Sequence, residues 1–162
     1  MKKAIKVILL VLAVALIAAQ FVRPELTNPP LDPAHELRAP ANVQPILERS
    51  CNDCHSNRTQ YPWYSRISPV SWWLKDHIDE GRRELNFSEF ATYKPRRKAK
   101  KFEEICEQVK EGEMPLWQYV PVHPSAKLSD ADRETLCTWA KGERALFPAF
   151  PKRVPGSAAP RG

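Results

Sequence analysis

The chain has 162 residues, a formal net charge of +6, only 5 glycines and as many as 16 prolines. That length suits one domain with appendages and leaves little room for a second. No carboxylate pair, nucleophile–base set or phosphate loop stands out, so nothing in the chain asks for substrate chemistry of those kinds.

Lys2, Lys3 and Lys6 lead into an unbroken apolar run from Val7 to Ala19, which Phe21-Val22 extend. Residues 1–22 read as a signal anchor or signal peptide, with the positive end kept in the cytoplasm and the rest exported. Small residues around Ala15 and Ala19 offer cleavage sites. The run nevertheless comes close to the ~17 residues of a short membrane span, and Arg23-Pro24 would stop it at the outer face. An uncleaved N-terminal helix in the inner membrane is therefore expected, with the domain at the periplasmic face. Residues 23–41 form a proline-rich linker expected to be extended. It is expected to stand as a stalk that holds the domain off the membrane, because no tyrosine or tryptophan in it drives packing; the alternative is an arm laid along the domain.

A helix is expected over 42–50, with Val43, Ile46 and Leu47 on one face. It leads into Cys51-Asn52-Asp53-Cys54-His55, the C-x-x-C-H pattern of haem c attachment. Cys51 and Cys54 lie on one helical turn, where each thiol can add to a vinyl group, and His55 is placed as the proximal iron ligand. Three other readings compete: a thiol–disulfide redox pair, half of a zinc site with Cys106 and Cys137, and a plain disulfide. Export argues for one covalent haem c, because such proteins acquire haem outside the cytoplasm.

Tyr61-Pro62-Trp63-Tyr64 and Ser68-Pro69 carry turn signals and aromatics suited to packing beside a haem. Residues 71–85 read as a helix with Trp73, His77 and Ile78 on its inner face, which makes His77 an alternative sixth ligand. A basic run from Lys94 to Lys101 suits a solvated face or an acidic redox partner; nucleic acid is excluded on compartment grounds. A helix is expected over 101–111, ended by Gly112. Met114 follows, in Glu113-Met114-Pro115. Its soft thioether makes it the first choice for the sixth iron ligand, ahead of His77 and His123. The last helix, 128–146, opens on a shortened capping box at Ser129 and Asp132 and carries Leu136, Trp139 and Ala140 inward. Residues 148–162 read as a disordered tail. Cys106 and Cys137, two spare cysteines in an oxidising compartment, are expected to pair.

Taken together, Thr27-Asn28-Pro29-Pro30, Cys51 to Asn57, Tyr61 to Tyr64, Pro69 to Trp73 and Gly112 to Pro115 resemble the haem-binding domain family, small membrane-anchored proteins with one C-x-x-C-H. The resemblance covers about residues 20–145. It implies a haem cofactor and names no reaction partner. A broader resemblance to class I cytochromes c, resting on two end helices and a late methionine, implies an all-α domain over 42–147 wrapped around the haem, its last helix crossing the one that leads into C-x-x-C-H. The same resemblance implies that a backbone carbonyl beside a proline accepts from His55 Nδ1, with Pro62 and Pro69 as the candidates.

Three functions fit. An electron carrier with His55 and Met114 on the iron is favoured over a catalyst. A haem sensor or peroxidase-like enzyme would need an exchangeable sixth ligand. A thiol–disulfide oxidoreductase would use Cys51 and Cys54 without haem, but the βαβ pattern of such proteins is absent.

Overall fold

The structure, a computed structural model, describes residues 1–150, and among these all regular structure is helical, with no strand. The expected tail at 148–162 lies, from 151 onward, outside the described residues. The helices are α1 (Lys2–Ala19), α2 (Gln44–Ser50), α3 (Asn52–His55), α4 (Val70–Glu84), α5 (Pro95–Glu111) and α6 (Asp130–Ala145). Short 3-10 turns at Trp63–Arg66, Phe87–Thr92 and Pro124–Ala126 join them.

Two expectations about the N-terminal region change. The apolar run folds as α1, but no helix among the described residues is long and apolar enough to cross a membrane. Three lysines occupy the first turns of this 18-residue helix and shorten its apolar part, so the expected membrane-spanning anchor is not supported. The proline-rich segment, in turn, is an arm laid along the domain rather than a stalk. Prolines hold its backbone extended and leave carbonyls free to accept. Tyr61 Oη donates to Thr27 O at 3.0 Å and Asn57 Nδ2 to Pro30 O at 3.2 Å. The arm pairs further on through Leu37 N to Phe87 O at 2.7 Å and Ala91 N to His35 O at 2.8 Å.

α5 begins at Pro95, several residues before its expected start. Proline is tolerated in a first turn because no intrahelical N–H is lost there. Most of the basic run therefore lies on the solvent side of a longer helix, but Lys101 is buried with Ala99, Phe102, Cys106 and Val109 and pairs with Glu84 and Glu104. Gly112 closes it in the left-handed conformation (φ 78°) that suits a glycine. α6 opens with a full reciprocal capping box between Ser129 and Asp132, and Arg49 of α2 pairs with Asp132 at 2.7 Å.

The core joins Val43, Ile46 and Leu47 to Leu136, Trp139 and Ala140 within one buried cluster. α6 nevertheless packs chiefly on α5, with the Phe102 and Trp139 rings edge-on at 5.5 Å. Cys106 and Cys137 form a disulfide between these two helices. It closes a loop across 31 residues of sequence separation, so a Cys106→Ala/Cys137→Ala variant should lose about 3 kcal/mol of stability. Denaturant unfolding measures this as a lower midpoint. An unchanged midpoint would mean that α5 and α6 hold together without the bond.

α4 differs most from the sequence pattern. Its buried stripe is Ser71, Leu74, Ile78 and Gly81, while Trp72 and Trp73 are each 41% exposed and Trp63 is 77% exposed. Small residues at 71 and 81 let the helix lie close against its neighbours, and the tryptophans fall on the other side.

Candidate functional site

The site starts from α2. Its last turn hands Cys51 to a second short helix through Cys51 N to Leu47 O at 2.9 Å, and His55 N then bonds Cys51 O at 2.9 Å. Residues 51, 54 and 55 thus share one turn and face a common side. The chain leaves this turn in extended conformation at Ser56. Arg82 of α4 clamps the exit: its Nε donates to Ser56 O at 2.9 Å, and its Nη2 to Thr59 Oγ1 at 2.8 Å and Asn28 Oδ1 at 2.6 Å.

α4 lies against this turn at Gly81, where an added Cβ would come within 2.6 Å of Cys54 O. Two backbone carbonyls, Gly81 O and Leu85 O, therefore reach His55 Nδ1 at 3.0 Å each. Carbonyls only accept, so Nδ1 carries the proton and Nε2 keeps its lone pair. The acceptors belong to the end of α4 and not to the neighbourhood of Pro62 or Pro69. Leu85 is the residue that caps α4, so its carbonyl lies beyond the last intrahelical bond, while Gly81 O accepts from Leu85 N at 2.9 Å as well as from the ring. Burial holds His55 below its ordinary pKa, with Lys101 adding to the effect and the bonds to Leu85 and Gly81 opposing it. The ring is neutral near pH 7, the form that ligates a metal.

Two adjoining cavities open beside His55. One, of about 310 Å³, is lined by Cys51, Cys54, His55, His77 and Met114 among others. The second, of about 420 Å³, shares Cys51, His55, Glu84 and Met114 and adds apolar walls from Leu47, Phe87, Val109 and Leu136. Each is of the size that cofactor sites have. Cys51, Cys54, His55, His77 and Met114, five of the six residues singled out as haem attachments or iron ligands, thus line one cavity. His123 lies elsewhere: its Nε2 shares a 2.6 Å hydrogen bond with Tyr64 Oη and its ring stacks on Tyr119. His77 Nδ1 donates to Trp73 O at 2.9 Å, which leaves its Nε2 open too. None of Trp63, Trp72 and Trp73 lines either cavity.

Cys51 and Cys54 are free thiols. Burial pushes Cys51 up to about 12, with the charge of Cys54 adding to it. Burial likewise pushes Cys54 up to about 11, helped by Asp53. Both stay protonated near neutrality, the opposite of the depressed pKa of a redox nucleophile. Among the described residues no group of three or more His, Cys, Asp or Glu is placed to hold a metal ion, and Cys106 and Cys137 are already bonded to each other. The zinc reading therefore loses two of its four cysteines.

The pattern reading missed three residues. Gly81 sets the approach of α4; a glycine inside a helical pattern is itself a sign of close packing. Arg82 gives no local signal. Tyr119 donates to Asp53 Oδ2 at 2.6 Å, and burial and this bond to an acid push its pKa up.

An all-α domain with free thiols, a neutral histidine and a methionine around an apolar slot belongs to the class of cofactor-binding helical proteins. The family model described as haem-binding domain matches residues 14–142, and the chain belongs to that family. Its cofactor is haem. No curated protein and no solved structure matched the chain.

Proposed function

We propose that this is an exported mono-haem c-type protein that carries single electrons between periplasmic or membrane partners. The supporting observation is the convergence of Cys51, Cys54, His55 and Met114 on one cavity with apolar walls. This donor set fits the group: two protonated thiols, an imidazole with Nε2 open, and a neutral soft thioether. Each thiol would add its sulfur to one carbon of a vinyl group and its proton to the other, with no external oxidant. His55 is held by Gly81 O and Leu85 O in the tautomer that presents Nε2. Met114 would supply the second protein ligand to the iron, and Leu47, Phe87, Val109 and Leu136 would keep water from it. Bound haem supplies a one-electron couple at its iron.

Export is supported by the charged and apolar N-terminal segment and by the Cys106–Cys137 disulfide, which suits an oxidising compartment. A redox partner with an acidic face would meet the exposed basic start of α5, where Arg96 and Arg97 follow Lys94 at its N-cap.

The test is the ferric spectrum of the exported holoprotein beside Met114→Ala. The wild type should show the weak far-red thioether-to-iron band, and the variant should lose it completely. A second reading, with His77 on the iron, has its own support in the open Nε2 on the cavity wall. It predicts that Met114→Ala leaves the spectrum unchanged while His77→Ala alters it.

A further inference from the structure

The loop that carries Met114 has two fixed ends. At the first, Glu113 N and Met114 N both donate to Gln108 O, at 3.0 Å and 3.2 Å, and so tie the loop to the end of α5. Beyond Met114 the chain folds into a tight turn, with Tyr119 N on Leu116 O at 2.9 Å and Val120 N on the same oxygen at 3.3 Å. The second fixed point is Tyr119 itself. Its hydroxyl donates to Asp53 Oδ2 at 2.6 Å.

Asp53 is not a passing surface acid. It stands between Cys51 and Cys54, and its other carboxylate oxygen accepts from Gln60 N at 3.0 Å while its backbone carbonyl accepts from Thr59 Oγ1 at 2.6 Å. The acceptor is therefore fixed to the turn that bears the two thiols and His55. The donor is held as firmly. The Tyr119 ring stacks on His123 at 4.1 Å with 14° between planes, and His123 is bonded on to Tyr64. One hydrogen bond to a carboxylate thus spans from the thiol-bearing turn to the methionine loop, along the edge of the cavity that both line.

The geometry points to the Tyr119–Asp53 hydrogen bond as a latch that holds the Met114 loop over the iron-facing side of the cavity and sets how readily an external ligand displaces Met114. This rests on the reading of Met114 as sixth ligand. Tyr119 is a positioning residue that acts through Met114. Losing a hydrogen bond to a charged group, at a partly buried site, should make displacement of Met114 roughly tenfold easier.

The test uses full-length ferric holoprotein and imidazole as the displacing ligand, followed by loss of the far-red thioether band. Tyr119→Phe keeps the ring and its stacking and removes only the hydroxyl. The expected result is an imidazole dissociation constant about tenfold lower than wild type, with the band still present before imidazole is added. Asp53→Asn removes the charge and leaves one carboxamide oxygen for two donors, Gln60 N and Tyr119 Oη, so it should fall between wild type and Asp53→Ala, which should match Tyr119→Phe. A Met114→Ala control separates the two levels of the account. If Met114→Ala alters the spectrum but Tyr119→Phe binds imidazole as the wild type does, the latch is wrong and the ligand stands. If Tyr119→Phe lowers only the unfolding midpoint, its role is structural and the latch is wrong. If Met114→Ala leaves the spectrum as it was, the ligand reading fails and takes the latch with it.

Discussion

Replacing Cys51 and Cys54 together by serine should leave a protein from which acid–acetone removes all haem, where the wild type keeps all of it. The two thiols lie three residues apart on one turn, are not joined to each other, and line a cavity with His55 on its wall. Serine is close to cysteine in size, but its hydroxyl cannot form a thioether. His55, Met114 and the apolar walls remain, so the variant should still take up haem reversibly and show an axially ligated spectrum. Covalent retention and axial ligation thus separate in one variant. Haem still attached after both cysteines are gone would contradict the assignment outright.

Gly81→Ala should cost about 3 kcal/mol and most of the haem retained on export, because overpacking at a backbone contact cannot be relieved by a rotamer change. The new methyl would stand 2.6 Å from Cys54 O and 3.2 Å from the Cys54 carbonyl carbon and Cβ. α4 must then move away, and with it the carbonyls of Gly81 and Leu85 that fix His55. The disturbance reaches the thiols and the iron ligand at once. Gly142→Ala is the matched control. It lies within α6 with no atom near its Cβ position, and alanine there should stabilise by up to ~1 kcal/mol through helix propensity. Unfolding midpoints of the two holoproteins decide the matter. Equal behaviour would mean that α4 does not press on the C-x-x-C-H turn.

Some of this was legible residue by residue. Cys51 to His55 announces its chemistry through spacing alone. The Ser129–Asp132 cap and the Leu136, Trp139 and Ala140 stripe define α6 because caps and helical periodicity are local signals. Gly112 marks the end of α5 for the same reason. What was illegible depends on contacts distant in sequence. The partners of His55 Nδ1 lie 26 and 30 residues away, and nothing local marks a helix-end carbonyl as an acceptor for one particular ring. The tryptophans misled for a related reason. Trp73 has the apolarity of a core residue, yet Ser71 and Gly81 occupy the packed face because small side chains allow close approach. The arm at 23–41 was ambiguous because proline-rich chain is extended whether or not it is docked; only the acceptor role of its carbonyls decides, and that role appears with the fold. The apolar segment at the N-terminus was read by composition, and the lysines inside α1 are what keep it from qualifying as a span.

The central claim is covalent attachment of haem at Cys51 and Cys54, and the pyridine haemochrome spectrum tests it most directly. The protein should be exported with haem maturation machinery, extracted with acid–acetone, and then read. The account predicts that haem stays with the polypeptide and that the band positions are those of two saturated vinyl groups. Band positions of intact vinyls, or haem left wholly in the acetone, would contradict it and leave a haem held by His55 and the cavity walls alone.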